Sequence, residues 1–277
     1  MKYSNKFILF LALIAFQFNS CNSNPDPLPE VTPGMVLNDV SSAIGGMEMA
    51  WGMIMPVTPV QGICVALYGA AVGMAASGYF GRNTVDWPIR YSADIEKVNE
   101  YVRRFYGQGE ESFSRIGQLH NEALFAFAQT GQVFNDDTIT YNIVKAFLDT
   151  TRLINRSEAS CGSNRLFSEQ AKTIVHLGIS SVDYGINSTN IEGKYIALIT
   201  NHQEEREAIE LIKRMSVTTW TFYNNHDIPG LELFLKEELG RINRNEYNLD
   251  IRNYTFAIGM ANIFVHSYSY WTVGKNY

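Results

Sequence analysis

Apolar positions recur with a helical period along most of the chain from Thr84 to the C-terminus. The pattern predicts a helix over about 93–106, capped by Ser92, with Asp94 and Glu96 near its positive end and Gly107-Gln108-Gly109 closing it. A second helix is predicted over about 112–129, with Ile116, Leu119, Ala123 and Phe127 on one face and His120 and Leu124 beside them. Asn135-Asp136-Asp137 starts a third, whose stripe is Ile139, Ile143, Phe147, Thr150 and Ile154. Residues 156–167 are polar and read as a loop, and Ser168 opens a fourth helix to about Ser180. A long helical stretch follows over about 190–224, with a break expected near Asn201-His202. Pro229 begins another helix to about Arg244. Asn248 or Asp250 caps the last helix, which is apolar all round and is therefore expected at the bundle centre. No strand alternation of length, no repeat of a fixed period and no heptad array interrupts this pattern. The fold class expected is all-α: a multi-helix bundle.

The segment in front of that bundle has a different character. Residues 49–81 carry no charge, are rich in glycine and alanine, and are divided by Pro56 and Pro59. Gly69, Gly73, Ser77 and Gly81 recur every four residues and would form one stripe on a helix. Gly62, Ala66 and Ala70 make a second stripe beside it. Small residues so spaced let another helix backbone come close, as in membrane helix pairs. The prolines suit a turn between two arms, so a Gly/Ala-rich helical hairpin is expected over 38–82. The segment is a hairpin buried in a soluble bundle, one that inserts into or lies on a membrane, or a loosely ordered stretch. Glu48 and the small apolar area of glycine and alanine weigh against insertion. A leucine at Gly73 is expected to be worse than one at Ala71.

Residues 1–21 read as an export signal. Lys2 and Lys6 precede an apolar run from Phe7 to Phe18, too short to span a bilayer and ending at Asn19-Ser20-Cys21. That order resembles the lipobox of bacterial lipoproteins, in a relaxed form like that of Bacteroidota, with Phe18 where leucine is usual. The resemblance implies cleavage after Ser20 and acylation of Cys21, hence a membrane partner through a lipid anchor. Residues 21–37 hold four prolines within Asn22–Pro33 and are expected to act as a stiff tether. The division is then a signal peptide (1–20), a tether (21–37), a hairpin (38–82) and a helical domain (83–277). The localisation implied is the cell envelope, the outer membrane more than the inner.

The net charge of −6 argues against nucleic acid as a partner. Of three cysteines, Cys21 is assigned to the anchor, and Cys64 and Cys161 are expected as free thiols rather than a bridge. No HExxH, GxSxG, Walker or GxGxxG string occurs, so no enzyme and no cofactor is expected. His120, Asn121 and Glu122 are the candidate polar site, within the string Gly117-Gln118-Leu119-His120-Asn121-Glu122. The string and the hairpin resemble features of exported bacterial lipoproteins, a resemblance that implies no particular activity. His120 shares a face with Ile116 and Leu124 and is expected as a core histidine, while Glu122 points elsewhere. His202 with Glu204, Glu205 and Arg206 reads as a solvated helix start, and the five scattered histidines suggest no metal site. Two functions remain: an anchored envelope protein that binds another envelope component, or a membrane-inserting protein, pore-forming or bacteriocin-like, that uses 40–81.

Overall fold

The helical period is realised throughout the computed structural model, which describes residues 33–56, 59–85, 94–108, 110–129, 171–183 and 190–273. Among the described residues the fold is all-α, with no strand. Helix α1 spans Pro33–Ile54, α2 Pro59–Val85, α3 Ile95–Arg103, α4 Glu111–Gln129 and α5 Ala171–Ser180. Helix α6 spans Ile191–Asn201, followed by a 3-10 turn at Gln203–Glu205. Helices α7 (Arg206–Asn224), α8 (Ile228–Asn243) and α9 (Ile251–Thr272) complete the set. The third helix expected from the stripe at Ile139–Ile154 lies outside the described residues, as do the loop at 156–167, Ser92 and the leader.

Local chemistry fixes the helix ends. Asp94, Asp227 and Asp250 each accept a hydrogen bond from a backbone N–H three residues on, at 3.0, 3.0 and 2.7 Å. Such N-caps satisfy donors that the first helical turn leaves unpaired. Asp94 thus takes the role expected of Ser92. The long helical stretch breaks where expected, at His202, whose extended backbone (φ −124°, ψ 68°) separates α6 from the 3-10 turn.

The hairpin starts earlier than its composition suggests. Helix α1 begins at Pro33, so residues 33–37 are helix rather than tether, and Met35, Val36 and Leu37 are buried. Proline is well suited to the first helical position because its missing N–H has no partner there anyway. The Asn38 amide then clasps the backbone beyond α5: it donates to the Asp183 carbonyl (3.0 Å) and accepts from the Asp183 N–H (2.7 Å).

Two helices form the centre. Helix α9 is buried from Thr255 to Trp271, as its all-round apolar sequence predicts. Helix α2 is buried from Cys64 to Ser77 and packs on α1, α4, α5 and α9. Helices α3, α7 and α8 cover the other side of α9, and α6 lies against α7 and α1. All of these belong to one compact unit, Val31–Tyr277.

Glycine and alanine make this arrangement possible by letting backbones approach. A Cβ on Gly73 would lie 2.8 Å from the Asp39 carbonyl oxygen of α1, and one on Gly69 would lie 2.9 Å from that of Ala43. Ser77 on the same stripe is buried, and the surroundings of Gly81 lie outside the described residues. The second stripe meets α9: a Cβ on Gly62 would strike Thr255 at 2.5 Å, and one on Gly259 would lie 3.1 Å from the Ala66 side chain. From α5, Gly178 closes on Ala75 and the Val72 carbonyl in the same way. Close approach replaces large side chains as the source of dispersion contact. Cys64, expected as a free thiol, is disulfide-bonded, and its partner lies outside the described residues.

Candidate functional site

Two polar clusters interrupt the apolar packing. The first lies in the core where α1, α4 and α9 meet. Asp39, His120, Asn121, Asn262, His266 and Ser267 are all buried there. The Ser267 hydroxyl donates to Asp39 Oδ2 at 2.5 Å. His120 Nε2 lies 3.3 Å from the same oxygen, an electrostatic contact without hydrogen-bond alignment. His120 Nδ1 faces Asn121 Oδ1 at 3.1 Å, and the Asn121 amide donates to the His266 carbonyl at 2.9 Å. Asn262 accepts from the Tyr106 hydroxyl at 2.6 Å and donates to the Ile258 carbonyl and to Asn243.

The candidate residues of the Gly117–Glu122 string separate by function. Gly117 is the contact point: a Cβ there would lie 2.3 Å from the His266 ring and 2.5 Å from the Asn262 carbonyl. His120 and Asn121 join the core cluster, so His120 is a core histidine whose partners are side-chain oxygens. Glu122 turns away and accepts from Gln118 (2.8 Å) and Arg115 (3.2 Å). Asp39 and His266, which join them from α1 and α9, carry no signal in local spacing.

The chemistry open to this cluster follows from its order. Asp39 stands between Ser267 and His120, so the imidazole is not placed to take the serine proton. None of the three side chains reaches solvent. The cluster therefore holds α1, α4 and α9 in register, since truncating one partner of a buried hydrogen bond leaves the other unsatisfied at a cost of about 1–3 kcal/mol. Burial, helped by the nearby His120, pushes the His266 imidazole down to about 3. Neither of its ring nitrogens has a hydrogen-bond partner among the described residues.

The second cluster lies at the C-terminal end of α1, where tertiary folding joins residues far apart in sequence. His202 Nδ1 lies 2.6 Å from Glu48 Oε1. Glu205 is buried in the 3-10 turn and accepts from Arg252 Nε at 2.6 Å and from the Arg252 Nη2 group. Arg252 Nη1 lies 2.9 Å from Glu204, and its guanidinium stacks over Trp51 and Phe256, 5.2 and 5.7 Å from the ring centroids. The Glu48 carboxylate raises the His202 imidazole above its ordinary value, against the opposing effect of burial. The stretch from His202 to Arg206 is thus not a simple solvated helix start: Gln203, Glu204 and Arg206 are exposed, but His202 is half-buried and Glu205 is buried. One donor atom each from Glu48, His202 and Glu205 lies within 4.8 Å of the others. The scattered histidines hide this grouping because Glu48 and His202 are 154 residues apart.

A separate open groove of about 550 Å³ runs between α6 and α7, lined by Ile196, Ile199 and Val217 with Glu192 and Lys213 on its rim. Compared with protein-family models, with curated proteins and with solved structures, the chain matches none significantly.

Proposed function

We propose that this chain is a lipid-anchored protein of the cell envelope, held at the outer membrane through an acylated Cys21, whose helical bundle acts as a non-catalytic binding module for another envelope protein. The leader, the apolar run and the cysteine after Ser20 support the anchor. The disulfide at Cys64 fits an oxidising compartment. The observation that carries the choice between the two functional readings is the burial of the hairpin. Residues Gln61–Tyr79 are long and apolar enough to cross a membrane, yet 89% of that window is buried inside the bundle. Both small-residue stripes are occupied by α1 and α9, and α5 closes on the next face. A hairpin so engaged serves as part of the fold, and its release would expose the Asp39 cluster and break the Glu48–His202 contact.

Mass spectrometry of the mature N-terminus tests the anchor. A diacyl- or triacylglyceryl-modified Cys21 is the expected result, and Cys21→Ser should move the protein from the membrane to the soluble fraction. An unmodified Cys21, or cleavage at another position, contradicts the reading. Cross-linking in intact cells followed by identification of the adduct tests the binding role, with an envelope protein as the expected adduct.

A further inference from the structure

We propose that Glu48, His202 and Glu205 bind a divalent transition-metal ion of the zinc class, at the seam where the hairpin meets the joint between α6 and α7. The three donors come from three places: α1, the non-helical residue after α6, and the 3-10 turn. Their donor atoms lie within 4.8 Å of one another. One imidazole nitrogen with two carboxylate oxygens suits zinc and its neighbours, whereas calcium takes six to eight oxygens and magnesium retains its waters.

Charge points the same way. Glu48, Glu204 and Glu205 bring three negative charges and Arg252 one positive charge, while Arg206 is turned to Glu210 at 2.8 Å. With a neutral imidazole, the group carries two negative charges, the complement of a divalent cation. Arg252 is compatible with the ion. It holds one oxygen of Glu205, already touches Glu204, and is fixed in place by the Trp51 and Phe256 rings. A ligand carboxylate held by such a hydrogen-bond partner has its orientation fixed.

The geometry needs only side-chain adjustment. Zinc bonds of about 2.0–2.1 Å in a tetrahedron set the donors about 3.3 Å apart. The 2.6 Å contact between Glu48 and His202 would open slightly, and the wider separations would close. Those two side chains are 35% and 22% exposed and free to shift, while the buried Glu205 stays fixed. An ion here would tie α1 to the α6–α7 joint, so its binding energy would add to the stability of the fold.

The test titrates the full chain with Zn2+ by calorimetry and with Co2+ by visible absorption, using Mg2+ and Ca2+ as controls. Alongside run His202→Gln, Glu48→Gln and a control, His176→Gln, at an exposed position on α5. Losing even a partner of a ligand typically weakens metal binding 10–100-fold, so each ligand variant should lose at least about tenfold in affinity. The expected result is one saturable Zn2+ site per chain, a Co2+ spectrum with nitrogen and oxygen ligation, a Tm raised by Zn2+, and an unchanged His176→Gln variant. Glu48→Gln keeps the size and helical preference of the side chain, and an unchanged circular dichroism spectrum would exclude misfolding as the cause of its loss. No saturable Zn2+ binding, equal affinity in the wild type and both ligand variants, or loss only in His176→Gln would overturn the proposal.

Discussion

Gly73 of α2 sits directly on the backbone of Asp39 in α1, so that a Cβ added to Gly73 would lie 2.8 Å from the Asp39 carbonyl oxygen. The three nearest atoms all belong to the Asp39 backbone, so no flexible side chain is there to yield. Gly73→Leu is therefore expected to destabilise the whole bundle, at or above the ~1–3 kcal/mol typical of overpacking. Ala71 is no tolerant control, because it too is fully buried. The better control is Gly45 on α1, where a Cβ meets nothing within 4 Å. Gly45→Ala should hold or raise stability, by up to about 1 kcal/mol from helix propensity alone. Urea unfolding of the three proteins checks the order.

His266 should make the fold acid-sensitive. Its imidazole falls from an unfolded value of about 6.5 to about 3 in the folded chain. Between those values the unfolded state binds more protons, so stability rises with pH. The contribution is complete above about pH 6.5 and is lost as the pH falls toward 3, with a limiting slope of about 1.4 kcal/mol per pH unit. His120 and Asp39 lie in the same buried cluster and Tyr106 packs on the His266 ring, 5.9 Å between centroids. His266→Gln should show a flatter loss of stability between pH 7 and 5 than the wild type. An identical slope in the two proteins would remove His266 as the source.

The disulfide at Cys64 gives a covalent check on the anchor. If Cys21 carries lipid, Cys161 is the one remaining cysteine able to bond Cys64. Peptide mapping without reduction should recover a Cys64–Cys161 pair. A Cys64–Cys21 pair would be incompatible with acylation.

Met55 ends α1 in the left-handed region, φ 45°, and its side chain is 71% exposed. A side chain with a Cβ is unfavourable there by roughly 1–2 kcal/mol, and this one recovers little by packing. Met55→Gly, with the residue most at home after a helix C-terminus, should raise Tm. A lowered Tm would show that the residue has a contact the geometry does not account for.

Much of this fold is legible in the sequence because it rests on local rules. The all-round apolar pattern of Ile251–Thr272 marks a central helix, and the Asp250 cap and the break at His202 fall where local chemistry puts them. The two stripes of the hairpin are equally readable, since a four-residue spacing of small side chains has one geometric meaning on a helix. What was hidden depends on tertiary approach. Asp39 falls at the start of the expected hairpin with no motif to mark it, and only folding brings it to His120 and Ser267. Glu48 and His202 carry no common motif, and their meeting follows from how α6 lies against α1. The early start of α1 was masked because Pro33 belongs by composition to the proline-rich run, although it is well placed at a first helical turn.

The central claim is that the hairpin is a structural part of the bundle and does not leave it to enter a membrane. The direct measurement mixes purified Cys21→Ser protein with dye-loaded liposomes and follows release, with Gly73→Leu alongside. The account predicts no release by either protein above the buffer control, together with a lower Tm for the variant as a whole. Dye release by the Cys21→Ser protein at modest protein-to-lipid ratios, lost in Gly73→Leu while the rest of the bundle melts as before, would contradict it.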